Sequence, residues 1–202
     1  MDREEFFFEQ VGNRPASELA AIQDAYWFAK EIHRDQTRDS GERYFEHPRR
    51  VVLILINFGY TSTAAIIAGL THDIVEDGLM PPRILVNALG IATWRRVSSL
   101  SKKLPFVDPV TGKITKLKKD TVDYFKELAA SDEVTRATKV ADRIDNLSTC
   151  DVWEEGKRRR YITESREFIL PLAKTTNAGL LEALEAAISR VEATLPRASA
   201  SA

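Results

Sequence analysis

Cysteine is nearly absent: Cys150 is the single one in 202 residues, which excludes an internal disulfide framework and fits a reducing compartment. It follows a helix that carries Asp142 and reads as a packed or idle thiol. An excess of one charge sign is also missing, with 29 Lys and Arg against 30 Asp and Glu for a formal net charge of −1. There is therefore no global attraction for nucleic acid, and any polyanion must be met by local patches. No apolar run approaches the roughly 18 residues of a membrane span, and the acidic start MDREEFFFEQ does not read as a signal peptide. No internal repeat and no second compositional block breaks the chain. The expectation is a soluble cytoplasmic protein with neither nucleic acid nor membrane as partner, whose function resides in sites.

Helical periodicity is abundant. Leu19, Ile22, Tyr26, Ala29 and Ile32 recur at three- and four-residue spacing, predicting a helix over 17–33 with Ser17 as N-cap. A polar turn with Gly41 closes at Pro48, which suits the first turn of a helix running to about 58, where Gly59 stops it. Further helices are expected over 62–77, 83–89, 92–100, 121–130, 133–149, 157–174 and 177–195, the last capped by Asn177. Pro105, Pro109 and Gly112 make 102–119 a long loop or small hairpin. The predicted organisation is an all-α bundle over 17–195, preceded by an N-terminal segment over 1–16 and followed by a disordered tail over 196–202.

The stretch 64–77, AAIIAGLTHDIVED, is the most informative. It begins as a helix apolar on every side, which belongs in an interior, and then carries His72, Asp73, Glu76 and Asp77. Buried ionisable groups are costly unless compensated, and a bound cation compensates several at once. The alternative is a helix that surfaces after Leu70 and solvates its charges, with Gly78 as the stop. In the helix 133–149, Val140, Ile144 and Leu147 share one face while Asp142, Asp145, Asn146 and Thr149 share the other. By itself that polar stripe reads as a solvated face.

Order and spacing change both readings. His33, then His72-Asp73, then Asp142 form an H…HD…D pattern, and the words HRDQTRDSGERYFEHP, GLTHDIVEDG, KVADRIDNLST and ESREFILPLAKTTN follow one another from His33 to Asn177. In these the chain resembles the HD-domain metal-dependent phosphohydrolases, and within them the hydrolase domain of the RelA/SpoT alarmone enzymes. The resemblance implies an HD-domain helical bundle that degrades (p)ppGpp to GDP or GTP plus pyrophosphate, with length for the hydrolase domain and none left for synthesis or regulation. It implies His33, His72, Asp73 and Asp142 as ligands of a divalent metal, Mn²⁺ by the family's habit, a donor set that also suits Fe or Zn.

By the same resemblance, Glu76 and Asp77 match the family's catalytic acidic pair. Arg38 and Ser40 match nucleoside-holding positions, and Asn146 and Thr149 match positions facing the ribose and base. Eight basic residues lie between Arg95 and Lys119 against the single Asp108, and Lys157-Arg158-Arg159-Arg160 adds a second basic run. Of these Arg160 is expected to contact phosphate, since a substrate with two diphosphates needs cations. His47, in the family's His-Pro pair, reads as structural or as a support to the ligands.

Three residues depart from the family pattern: Asp39 stands where a basic residue is usual, Asp145 replaces a His and Ser148 an Arg. All three lower positive charge near the nucleotide, which opens the alternatives of (p)ppApp, NADPH or another phosphorylated nucleotide as substrate. A catalytically silent nucleotide-binding regulator is the alternative from another class. The Phe6-Phe7-Phe8 cluster falls outside the resemblance and reads as a segment packed on the body or as a homodimer contact.

Overall fold

The structure is a computed structural model that describes residues 2–77 and 81–196, with Asp77 described by its backbone alone. The Gly78 stop and the expected tail from 197 onward lie outside the described residues. The chain opens with α1 (Arg3–Val11), α2 (Ala16–Ile32), α3 (Glu46–Asn57) and α4 (Thr63–Thr71). A short α5 (Ile74–Asp77) and α6 (Pro82–Leu100) lead into a hairpin of β1 (Lys103–Val107) and β2 (Ile114–Lys118). After it come α7 (Thr121–Ala129), α8 (Glu133–Ser148), α9 (Glu155–Glu164), α10 (Leu170–Lys174) and α11 (Ala178–Ala193). The all-α expectation holds, and the insertion expected at 102–119 is an antiparallel hairpin in the register Lys103↔Lys118 to Val107↔Ile114. No described helix is long and apolar enough to cross a membrane.

Helix α4 is where the sequence reading and the packing agree most closely. Ser62 caps it by accepting from the Ala65 N–H at 3.2 Å, and Ala65, Ile66, Ala68, Gly69, Leu70 and Thr71 are all buried. A Cβ on Gly69 would meet Val52 Cγ2 at 2.8 Å and Leu55 Cδ1 at 3.1 Å, so glycine is what lets α4 lie this close to α3. The helix does not run through to 77 as the periodicity predicts. It stops at Thr71, where His72 Nδ1 engages the Gly69 carbonyl at 2.8 Å, competing for the acceptor that the Asp73 N–H would need to continue the helix. His72 and Asp73 occupy the turn before α5.

Two other boundaries have local causes. Gly90, at φ 79° and ψ 161°, splits α6 into the two helical stretches expected on either side of it. Between α9 and α10, residues Ser165–Ile169 form a wider π turn, which accommodates Pro171, a residue without an N–H whose ring crowds the carbonyl four residues earlier. Arg143, almost fully buried, donates to the Tyr161 carbonyl at 3.2 Å and to Ser165 Oγ at 3.1 Å beside this turn.

Helix α3 divides the core. Val52 joins a cluster with Phe7, Ile22, Tyr26, Ile66, Leu70 and Leu85, while Val51 and Leu55 join one with Leu128, Val140, Leu147, Leu184 and Ile188. Each such side chain contributes about 1.5–3 kcal/mol by leaving water. Phe7 is fully buried and packs with Phe8 on Tyr26 at centroid distances of 5.1 Å, which is the packed reading of the N-terminal cluster, whereas Phe6 is exposed. Cys150 is buried.

Candidate metal centre and nucleoside pocket

Three helices aim polar side chains at one point in this apolar interior. His47 enters from the first turn of α3, His72 and Asp73 from the end of α4, and Asp142 from the middle of α8. His47 Nε2 lies 3.1 Å from His72 Nε2, 3.4 Å from Asp73 Oδ2 and 3.2 Å from Asp142 Oδ1. His72 Nε2 lies 3.1 Å from Asp73 Oδ2 and 3.7 Å from Asp142 Oδ1. His47, His72 and Asp142 are buried, and His47, His72 and Asp73 form a group able to hold a metal ion.

The other ring nitrogens explain why this arrangement fits a cation. A carbonyl only accepts, so His72 Nδ1, at 2.8 Å from the Gly69 carbonyl, carries the proton and Nε2 of the neutral ring presents a lone pair. His47 Nδ1 lies 2.6 Å from a carboxylate oxygen of Asp145, with the same result. Two lone pairs and two carboxylates facing one another repel unless positive charge lies between them. The proton affinities report the same demand. Burial opposes charge on His47, yet hydrogen bonds to Asp142, Asp145 and Asp73 push its pKa up to about 9. His72 is likewise held well above the ordinary imidazole range, against burial, by the charge of Asp73 and the hydrogen bond to Asp142.

The carboxylates are held ionised. Burial works against them, but the neighbouring His72 charge keeps Asp73 well below the usual carboxylate range. Lys139, at 2.8 Å from Asp142 Oδ2, does so for Asp142. Tyr44 donates its hydroxyl to Asp73 Oδ2 at 2.8 Å. Two nitrogens and two oxygens with a tyrosine and a lysine behind them match the preferences of a divalent first-row metal.

His33 is not brought to this point, and this corrects the ligand set read from the sequence. Its Nδ1 lies 2.7 Å from Gln36 Oε1, and its ring stacks on Tyr44 at 4.6 Å. It lines a separate cavity of about 740 Å³ together with Trp27, Arg43 and Arg49, where Lys30 pairs with Glu4 and Arg49 with Glu46. The reason is the helix start: Pro48 fixes the first turn of α3, and that turn faces α4 and α8. The His-Pro pair was the available signal for His47.

Beside the cluster a pocket of about 190 Å³ gathers Arg38, Ser40, Asn146 and Thr149, four of the five residues expected to meet the substrate. Arg38 Nη2 donates to Asn146 Oδ1 at 2.6 Å and to Thr149 Oγ1 at 3.2 Å. Thr37, Asp39, Tyr44 and Trp153 complete the walls. The fifth, Arg160, is exposed on α9 and does not line the pocket. Lys157, one turn earlier, reaches it instead, pairing with Asp39 at 2.6 Å and lying 4.1 Å over the Trp153 ring. Neither Trp153 nor Lys157 was singled out by sequence spacing.

Glu76 accepts from the Lys102 N–H at 3.1 Å, which ties its carboxylate to the start of the hairpin. Lys102 Nζ meanwhile pairs with Glu164 at 2.8 Å. The Asp77 side chain lies outside the described residues.

A helical body that presents a buried His/His-Asp/Asp donor set beside a small polar pocket is the class defined by fold and site. The chain belongs to the HD domain family, whose pattern matches residues 25–177. It is 35% identical over 154 residues to the guanosine-3′,5′-bis(diphosphate) 3′-pyrophosphohydrolase of Aquifex aeolicus, covering 75% of this chain and 21% of that protein. To the bifunctional (p)ppGpp synthase/hydrolase SpoT of Escherichia coli it is 29% identical over 161 residues, 79% of this chain and 22% of that one. The chain thus spans about a fifth of the length of these curated relatives. A solved structure of a metazoan ortholog of SpoT, described as hydrolysing ppGpp, has the same fold. Its TM-score is 0.71 at 21% identity, covering 89% of this chain and 98% of that one.

Proposed function

We propose that this chain is a metal-dependent hydrolase of guanosine alarmones that converts (p)ppGpp to GDP or GTP and pyrophosphate. The observation that carries the reading is the convergence of His47 Nε2, His72 Nε2, Asp73 Oδ2 and Asp142 Oδ1 next to a pocket sized for part of a nucleoside. The relatives named for ppGpp hydrolysis support the substrate class. Residues 17–195 serve as the hydrolase domain, and Mn²⁺ is the metal that the family resemblance favours.

A divalent cation held by His47, His72, Asp73 and Asp142 would lower the pKa of water and offset charge on the phosphoryl oxygens. The chain's own groups do the rest. Arg38, Asn146 and Thr149 bind the nucleoside, and Trp153 offers a face for the base. Glu76, oriented by the Lys102 amide, takes the proton of the attacking water, with Asp77 as its partner in the acidic pair. The water oxygen bonds to the phosphorus at the ribose 3′ oxygen, the P–O3′ bond breaks, and the 3′ oxygen leaves with a proton. Tyr44 and Lys139 keep Asp73 and Asp142 ionised and oriented throughout.

Charge at the pocket rim favours a second substrate as the comparison to run. Lys157 is engaged by Asp39, so the cation available to a polyphosphate there is reduced. The test is product chromatography from ppGpp, ppApp and NADPH with Mn²⁺ and with a chelator. Mn²⁺-dependent GDP and pyrophosphate from ppGpp are expected. Selective ppApp or NADPH turnover would replace the guanosine reading, and silence on all three would leave a nucleotide-binding regulator.

A further inference from the structure

The geometry points to Asp145 as the positioning residue of the proposed metal centre: held by Arg50, it fixes the His47 imidazole with its proton on Nδ1 and its Nε2 lone pair aimed at the ion. This rests on the metal-dependent reading above. Asp145 is 1% exposed on α8, one turn beyond Asp142. Its Oδ2 lies 2.6 Å from His47 Nδ1, and Arg50 donates to it through Nε at 2.6 Å to Oδ1 and Nη2 at 3.3 Å to Oδ2. Arg50 is itself anchored by Glu42 at 2.8 Å.

Orientation of the imidazole and charge balance at Asp145 come from different partners. Arg50 supplies counter-charge to Asp145 through a two-pronged contact, shared with Glu42. The bond to His47 therefore does not need a cationic imidazole; a neutral ring with its proton on Nδ1 satisfies it. Such a ring has one nitrogen left, Nε2, and that atom faces His72, Asp73 and Asp142. The chain Glu42–Arg50–Asp145–His47 runs from the turn before α3 through α3 to α8, so the imidazole is oriented by groups from opposite sides of the cleft. Carboxylate partners of this kind orient metal-binding imidazoles and raise their basicity.

The assignment is tested with Mn²⁺ as the probe, by chelator competition on the full chain, in wild type, Asp145→Asn and Asp145→Ala. A ¹⁵N-histidine spectrum of the Zn²⁺-loaded protein supplies a readout that a purely structural role would not move. Asp145→Asn keeps the volume and guards against loss of fold. Mn²⁺ affinity is expected to fall by about 10-fold in Asp145→Asn and about 100-fold in Asp145→Ala, with the His47 Nδ1 proton moving upfield in both. Wild-type affinity and an unmoved Nδ1 resonance in either folded variant would overturn this role while leaving the metal centre intact. Failure of the wild type itself to bind Mn²⁺ would overturn both readings.

Discussion

Asn146 donates through Nδ2 to Asp142 Oδ1 at 2.5 Å, one helical turn away on α8. Its other amide atom, Oδ1, accepts from Arg38 at 2.6 Å, so one side chain couples the metal-type cluster to the pocket that Arg38 lines. Replacing Asn146 by Ala removes both bonds while leaving Asp142 its partner Lys139. The expected outcome is a KM for ppGpp raised about 10-fold or more, since each lost bond to a charged group is worth about 1.5–3 kcal/mol. Metal content should be largely retained. Steady-state kinetics with metal analysis checks both.

Asp39 and Lys157 close the rim of the same pocket as a half-exposed ion pair. Exposed pairs are worth about 0.2–1 kcal/mol and are screened by salt. Asp39→Asn should therefore leave stability unchanged and free Lys157 for phosphate, lowering KM about 2- to 3-fold at low salt. Repeating the titration near 1 M salt should abolish the difference.

Gly69 of α4 lies tight against α3, a new Cβ meeting Val52 Cγ2 at 2.8 Å. Overpacking costs about 1–3 kcal/mol, against a gain of up to about 1 kcal/mol in helix propensity. Gly69→Ala is expected to destabilise the fold by about 1–2 kcal/mol in urea unfolding. It should also loosen metal binding, because the Gly69 carbonyl holds His72 Nδ1.

Asp132 caps α8, the helix that carries Asp142 and Asn146, accepting from the Thr135 N–H at 2.8 Å. Against partial burial, the bonds from Thr135 and from Arg96 hold its carboxyl below the ordinary 3.8. A carboxyl whose folded pKa is depressed stabilises the fold fully above its unfolded value and loses that contribution as pH falls through the folded one. Asp132→Ala should thus cost about 1 kcal/mol at pH 7. The gap to wild type should narrow below pH 3.8 and close at the acid end of a pH series of unfolding curves.

Sequence periodicity sufficed for most of the helical elements because burial on one face repeats every three to four residues, though not for α1 or the break between α4 and α5; α4, apolar all round, announced the interior. The pocket residues Arg38, Ser40, Asn146 and Thr149 were legible only through the family resemblance, since the polar stripe on α8 by itself reads as a solvated face. His47 was legible only as part of a His-Pro pair, and its place in the cluster was not, because three helices meet there: nothing in linear spacing says that the first turn of α3 faces His72 rather than the solvent. Trp153 escaped notice, and Lys157 was visible only as one of four residues in a basic run, since both sit after α8 and meet the pocket only in space. Asp145, legible as a departure from the family pattern, turns out to hold His47 and Arg50 together. The π turn had a local signal in Pro171, but the extra residue per turn that it introduces breaks the very periodicity used to read helices.

The most direct test of the metal-centre assignment is bound Mn²⁺ per chain, together with GDP release from ppGpp, for His47→Ala and His33→Ala. Loss of the bound metal and a fall in turnover of more than about 100-fold, beyond the range for groups that only support a ligand, are expected for His47→Ala, with His33→Ala retaining its metal. Full metal and full turnover in His47→Ala, with both lost in folded His33→Ala, would contradict it.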